Sequence, residues 1–192
     1  MPAEIIPLFS QPLYKNHFEF KQPDLSNIEW VTNKDNEISR AQNILDLPEF
    51  AELSEVAYMA SAEYIYGVMA VVEHLELVVT SSWLNRSMPG MSHPRHWHPN
   101  NLASGVIYLD TDPRAGGAIT WLNDRKPRVN LDRKQSTLWN TNHWVEQPVT
   151  GDCFVFPSEV DHWVEKNTGL KPRISLAWNV FVKGQLNSEI NL

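Results

Sequence analysis

From residue 75 onward the chain is a succession of short β-branched and aromatic runs broken by turn residues, and that pattern leaves few folds open. Leu75 to Trp83, Ser104 to Leu109, Ala118 to Trp121 after Gly116-Gly117, Cys153 to Phe156 after Gly151-Asp152, and Arg173 to Val182 all read as strands. One helical pattern precedes them. Pro48 suits a first helical turn with Asp46 as a candidate cap, and Phe50, Leu53, Ala57, Ala60, Tyr64 and Val68 recur at spacings of three and four. The helix is expected to end near Glu73, with its apolar stripe packed on a sheet. Residues 1–47 mix short apolar runs (Ile5-Ile6, Phe18-Glu19-Phe20) with prolines and Asn/Asp clusters, which suggests one or two edge strands and loops. The fold class expected is therefore mainly β: a double-stranded β-helix (jelly roll) with a supporting N-terminal helix. No repeat or linker divides the chain. A single domain, 1–192, is expected, with N-terminal strands, loops and helix over 1–74 and the jelly-roll core over 75–182.

Composition narrows the function classes. A formal charge of −7 argues against nucleic acid, which needs a basic face to neutralise phosphates. Arg125, Lys126, Arg128, Arg133 and Lys134 surround Pro127 and Asp132 and read as a solvated loop. The single cysteine, Cys153, allows no intrachain disulfide, and its apolar neighbours make it a small buried hydrophobe rather than a nucleophile. Met1-Pro2-Ala3-Glu4 lacks the start of a signal peptide, and no stretch reaches the roughly 18 apolar residues of a membrane span. A cytoplasmic location, with neither membrane nor nucleic acid as partner, is the expectation. A homo-oligomer is compatible with it.

Five of the seven histidines lie between positions 93 and 162, most densely in His93-Pro94-Arg95-His96-Trp97-His98-Pro99. In an extended segment leading into the strand at Ser104, His96 and His98 point to one face and can share a metal at roughly 2.0–2.2 Å. A third ligand must come from elsewhere, and His162 is the best candidate. Arg173 supplies a guanidinium suited to bidentate capture of a carboxylate, and Ser175, two positions on, points to the same side. Tyr108 shares a strand face with Ser104 and Val106. Gly116-Gly117 reads as a hairpin that lets the strand return tightly. Stacked structural imidazoles, a core tyrosine and a surface arginine are the plainer reading of each feature alone.

Taken in order, these features resemble the Fe(II)/2-oxoglutarate dioxygenase superfamily. The carriers are H-x-H, Gly-Val-Ile-Tyr-Leu-Asp, Ala-Gly-Gly-Ala-Ile-Thr-Trp, Gly-Asp-Cys-Phe-Val-Phe-Pro-Ser, His162 and Arg173. Within it, the chain is similar to 2-oxoglutarate–iron oxygenases of marine bacteria and phages that carry H-x-H-P followed by Ser-Gly-Val and a tyrosine. Prolyl hydroxylases show a similar Tyr-Leu-Asn and Gly-Gly hairpin. The resemblance covers roughly residues 75–182 and implies Fe(II) as cofactor, with 2-oxoglutarate and dioxygen as co-substrates. It assigns His96 and His162 to the metal, and Arg173, Tyr108 and Ser175 to the far carboxylate of 2-oxoglutarate. The implied activity couples oxidative decarboxylation of 2-oxoglutarate to oxidation of a substrate, with hydroxylation of an amino-acid side chain or small metabolite as the default outcome.

The departure is at position 98, where the usual two-histidine, one-carboxylate triad has its carboxylate and this chain has His98. His98 either ligates directly or turns aside and leaves that position open. An alternative register uses His98 and Asn100. Trp97, Trp121 and Trp178 are candidates to line the pocket, with Trp83 and Asn85 also facing it. Two rival readings share the architecture: a cupin-like three-histidine metalloenzyme that does not use 2-oxoglutarate, and a non-catalytic metal-binding jelly roll.

Overall fold

The computed structural model describes residues 3–8, 10–123 and 132–186. Arg125, Lys126 and Arg128 lie outside the described residues; Arg133 and Lys134 are exposed, as a solvated loop requires. The strands are β1 (Tyr14–His17), β2 (Trp30–Asn33), β3 (Asn36–Ser39), β4 (Glu76–Ser87), β5 (His93–His96), β6 (Ala103–Asp110), β7 (Ile119–Leu122), β8 (His143–Glu146), β9 (Asp152–Pro157), β10 (His162–Val164) and β11 (Arg173–Lys183). They pair antiparallel in two sheets, a larger one ordered β1-β9-β6-β11-β4-β3-β2 and a smaller one ordered β5-β10-β7-β8. This is the expected jelly roll. All five strands expected after residue 75 are present.

The central strands are nearly continuous apolar runs because both faces of the larger sheet are covered. On β6 and β9, Ile107, Leu109, Cys153 and Val155 face the helix, while Val106, Tyr108, Phe154 and Phe156 face the smaller sheet. On β11 the alternation separates two roles. Leu176, Trp178, Val180 and Val182 join the helix-side core, whereas Arg173, Ser175 and Ala177 line the cavity between the sheets. Burying each large apolar side chain contributes about 1.5–3 kcal/mol, so the helix-side layer carries much of the stability.

The helix α1 (Ala51–Ala62) is shorter than the sequence pattern suggests. Pro48–Phe50 forms a 3₁₀ turn before it and Glu63–Val68 a π-helical turn after it. Phe50, Leu53, Ala57, Ala60 and Tyr64 are buried as expected, but Val68 is 52% exposed. The cause is the wide turn: Met69 N–H donates to the Tyr64 carbonyl five residues back, which rotates Val68 off the stripe and ends the helix before Glu73. Asp46 does not cap this helix; it ends a separate 3₁₀ turn over Ile44–Asp46. Among the described residues no helix is long and apolar enough to cross a membrane.

Three further expectations need correction. The N-terminal region supplies β1 and β2 as the two edges of the larger sheet, within the expected one or two edge strands, but adds a third strand, β3, inside that sheet, while Ile5 and Ile6 are exposed and outside any strand. Gly116-Gly117 is not a hairpin tip, since β6 belongs to the larger sheet and β7 to the smaller; the two glycines carry the chain across. Both have positive φ, +69° and +73°, which favours glycine. Trp178 does not line the cavity. It is fully buried on the helix side, where its indole N–H donates to Ser61 Oγ at 2.9 Å.

Gly105 makes room for that indole: a Cβ there would sit 2.2 Å from Trp178 Cε2 and Cζ2. Gly105→Ala is therefore expected to destabilise the fold by about 1–3 kcal/mol through overpacking, read as a lower urea midpoint at unchanged slope. An unchanged midpoint would show that Trp178 is free to move away from β6.

Candidate active site

The cavity between the sheets is built from strand ends. His162 opens β10 and lies directly opposite His96, the last residue of β5. His98 does not continue that strand or lead straight into β6. It follows β5 in a turn whose position is fixed by its own N–H, which donates to the Ser158 carbonyl at 2.9 Å. The outcome is the expected cluster by another route: ligand-capable atoms of His96, His98 and His162 lie within 4.8 Å of one another. That separation is compatible with all three sharing one ion at ligand distances of about 2 Å. Asn100, the alternative partner of His98, is exposed with φ of 63° and does not line the cavity.

Hydrogen bonds set two of the three tautomers. His96 Nδ1 lies 2.8 Å from the Pro94 carbonyl and His162 Nδ1 2.9 Å from the Val160 carbonyl. A carbonyl can only accept, so each Nδ1 carries the proton and each Nε2 offers a lone pair, as ligation requires. Burial keeps the rings neutral. It draws His162 well below the usual imidazole range, lowers His96, and takes His98 to about 4 with His96 adding to the effect. His93, which the sequence did not single out, stacks on His96 at 4.1 Å between ring centroids; burial and then His96 hold it at about 3. Trp83 packs against His98 at 5.4 Å, and Phe156 meets His162 edge-on at 4.8 Å.

Behind the histidines stands a polar floor on the larger sheet. Ser175 on β11 is opposite Tyr108 on β6 and Asn85 on β4, and Arg173 is opposite Ser87, so these side chains form two adjacent rows on one face. Arg173 is 6% exposed, and its guanidinium carbon stacks over the Tyr108 ring at 4.6 Å from the centroid. Burial lowers the guanidinium pKa and raises that of the Tyr108 phenol. Arg173 Nε and Nη2 and Tyr108 Oη have no hydrogen-bond partner among the described residues. Among the described residues no Asp or Glu lines the cavity either. A buried cation beside an unpaired phenol is costly unless an anion completes it, so the donors fit a carboxylate that enters between them.

Gly117 belongs to this arrangement, although the sequence suggested only a turn. A Cβ there would sit 2.9 Å from Arg173 Cδ, so the bare backbone lets the arginine stem lie flat. Of the other expected lining residues, Trp83 and Asn85 face the cavity. Trp97 is 53% exposed, and Trp121 packs against Phe154 and Phe156 outside the cavity lining. Cys153 is fully buried, and burial pushes its thiol pKa up, which fits its reading as a structural hydrophobe.

Comparison with known proteins agrees with this geometry. Residues 81–179, about half of the chain, match the family model described as "Putative 2OG-Fe(II) oxygenase". Among solved structures, a 2OG-Fe(II) oxygenase family oxidoreductase from Burkholderia pseudomallei is similar at TM-score 0.56 and 17% identity, over 81% of this chain and 72% of that one. A Pseudomonas putida prolyl-4-hydroxylase is similar at TM-score 0.52 and 18% identity, over 77% and 69%. HygX from Streptomyces hygroscopicus, solved with nickel and 2-oxoglutarate bound, is similar at TM-score 0.55 and 13% identity, over 81% and 74%. At these identities the structures establish the shared jelly roll. No curated protein matches the sequence. The family match supplies what the fold alone does not: the chain belongs to the 2OG-Fe(II) oxygenases, oxidoreductases that use Fe(II) and 2-oxoglutarate.

Proposed function

We propose that the protein hydroxylates an amino-acid side chain or a small metabolite, with residues 75–182 as the catalytic core of a single domain. In this reading His96, His98 and His162 hold the metal through Nε2 atoms, and Arg173, Tyr108 and Ser175 hold the far carboxylate of 2-oxoglutarate. The observation that carries it is the buried guanidinium of Arg173, whose Nε and Nη2 lack a hydrogen-bond partner among the described residues, beside the Tyr108 hydroxyl and on the same cavity as three neutral imidazoles. A cupin-like site has no use for that cation, and the family match sets aside a non-catalytic role.

The metal and co-substrate together supply activation of dioxygen and oxidation of a C–H bond, with 2-oxoglutarate leaving as succinate and CO2. The chain's own residues do the positioning. Carbonyls of Pro94 and Val160 hold the two imidazoles in the ligating tautomer, and Arg173 fixes the co-substrate's depth by pairing with its distal end. The Ser175 hydroxyl, 3% exposed, stands next to Tyr108 across the strands and can donate to the same carboxylate. Apolar walls from Val106, Ile119, Phe156 and Val164 exclude water from the reacting end.

Anaerobic titration of the Fe(II)-loaded protein with 2-oxoglutarate is expected to develop the visible charge-transfer band of a chelated keto acid; no band in verified Fe(II) protein would overturn this reading. His162→Ala should abolish stoichiometric Fe(II) binding. Arg173→Ala should leave the metal in place but weaken 2-oxoglutarate by about 30-fold or more, the cost of truncating one partner of a buried charge pair. Gly117→Ala should weaken it in the same direction by displacing the arginine stem. The neutral histidines also fix a pH dependence. Their folded pKa values lie below the unfolded 6.5, His98 at about 4, so the unfolded chain binds more protons in between. The metal-free fold should therefore be at full strength above pH 6.5 and lose stability as the pH falls towards 4, measured by denaturant unfolding at several pH values.

A further inference from the structure

The β2–β3 hairpin lies outside the residues that match the family model, yet it reaches the cavity through one side chain. Asn36, at the start of β3, is 1% exposed and lines the cavity together with Asn85, which is 8% exposed on β4. The two belong to a directed relay of amides. Asn33 Nδ2 donates to Asn36 Oδ1 at 3.1 Å, and Asn36 Nδ2 donates to Asn85 Oδ1 at 3.4 Å. With its oxygen engaged by Asn36, the Asn85 amide has its NH2 group left over. That group has no hydrogen-bond partner among the described residues, whereas the cluster around Ser104 is closed: Ser104 bonds Ser158 and Asn179, and Asn179 in turn bonds Ser81.

The register shows what the free amide faces. Asn85 stands in the same cross-strand row as Ser175 and Tyr108, next to the row that holds Arg173, while Trp83, two residues earlier, packs on His98. Residues two apart on a strand are about 6.6 Å apart, so Asn85 sits between the histidine end and the arginine end of the floor. A molecule that joins the two ends must pass it. We propose that Asn85 is a further binding residue for 2-oxoglutarate, donating from Nδ2 to a carboxylate or keto oxygen, and that Asn36 is a positioning residue that fixes the direction of the Asn85 amide. This rests on the reading of the cavity as the 2-oxoglutarate site. It gives the N-terminal hairpin a role in the site, and it adds a neutral donor to the opposite side of the co-substrate from Tyr108.

The test uses 2-oxoglutarate itself, titrated anaerobically into Fe(II)-loaded wild type, Arg173→Ala, Asn85→Asp and Asn36→Asp, with metal content and thermal midpoint measured for each. Asn85→Asp replaces a donor by an anionic acceptor and is expected to weaken 2-oxoglutarate by about tenfold or more and to shift the charge-transfer band, with metal content unchanged. In Asn36→Asp the carboxylate can only accept, so it draws the Asn85 NH2 towards itself and turns Oδ1 to the cavity; a loss of affinity without loss of metal is expected here too. Asn36→Ser, which neither donates to nor competes for Asn85 as strongly, should lie between Asn36→Asp and wild type. If the charge in Asn85→Asp prevents folding, Asn85→Ser deletes the donor without it and carries the same expectation. Wild-type affinity and an unshifted band in the folded Asn85 and Asn36 variants, alongside weakened binding in Arg173→Ala, would overturn this inference alone. Failure of the wild type to bind would instead overturn the site reading beneath it.

Discussion

A guanidinium buried without a counter-charge is the constraint that the cavity is built around. Arg173 is held by its own strand, by the Tyr108 ring beneath it and by the bare backbone of Gly117 against its stem, and among the described residues no carboxylate lines the cavity beside it. An isolated buried charge is among the most expensive features a fold can carry. It persists because the surrounding sheet is stable for other reasons, and on the proposed reading an anionic ligand completes it. Removing the arginine's neighbours would relax it towards solvent; keeping them preserves a ready socket for one end of a dicarboxylate.

The stability that holds the socket open comes from the other face of the same strands. On β4, β6, β9 and β11 alternate residues belong either to the helix-side core or to the cavity side, so packing and chemistry are separated by the pleat of the sheet. Trp178 and Ser61 lock one side; Arg173, Ser175 and Ala177 line the other. Against β4 the register shift of β11 falls between Asn179 and Val180, beyond the cavity, so Arg173, Ser175 and Ala177 pair regularly with β4, whereas against β6 the register shifts between Ile174 and Ser175. This separation lets the cavity accept polar groups that a core could not.

The same logic explains what could be read from the sequence. The long central strands were legible because two-sided burial makes them apolar throughout; His96, His162, Arg173, Tyr108 and Ser175 converge because each sits at a strand end or on one strand face, while His98 joins them from the segment after β5. The short strands β5, β8 and β10 were not legible. β5 is His-Pro-Arg-His and β10 is only three residues, so neither has a β-branched run, and only pairing in the smaller sheet defines them. The Gly116-Gly117 crossing looked like a hairpin because a positive φ serves both, and only the sheet assignment tells them apart. Asn36 and His93 were invisible for a different reason. A hairpin asparagine and a stacked histidine have no spacing signature; their roles exist only once β3 is paired with β4 and β5 with β10.

Position 98 bears on the site's charge balance. Three neutral imidazoles bring no negative charge, and among the described residues the cavity walls add none. With a divalent ion present, the fixed charges would be the ion and Arg173, and the two carboxylates of 2-oxoglutarate would be the anions that answer them. A protein carboxylate in the ligand set would have taken up one of those positive charges before the co-substrate arrived. Its absence leaves more of the attraction to the co-substrate, so metal and 2-oxoglutarate should hold each other in place more strongly than either is held alone. The neutral donors on the floor, Tyr108, Ser175 and Asn85, fit this balance: in the proposed roles they would orient an anion without adding to the positive charge already there.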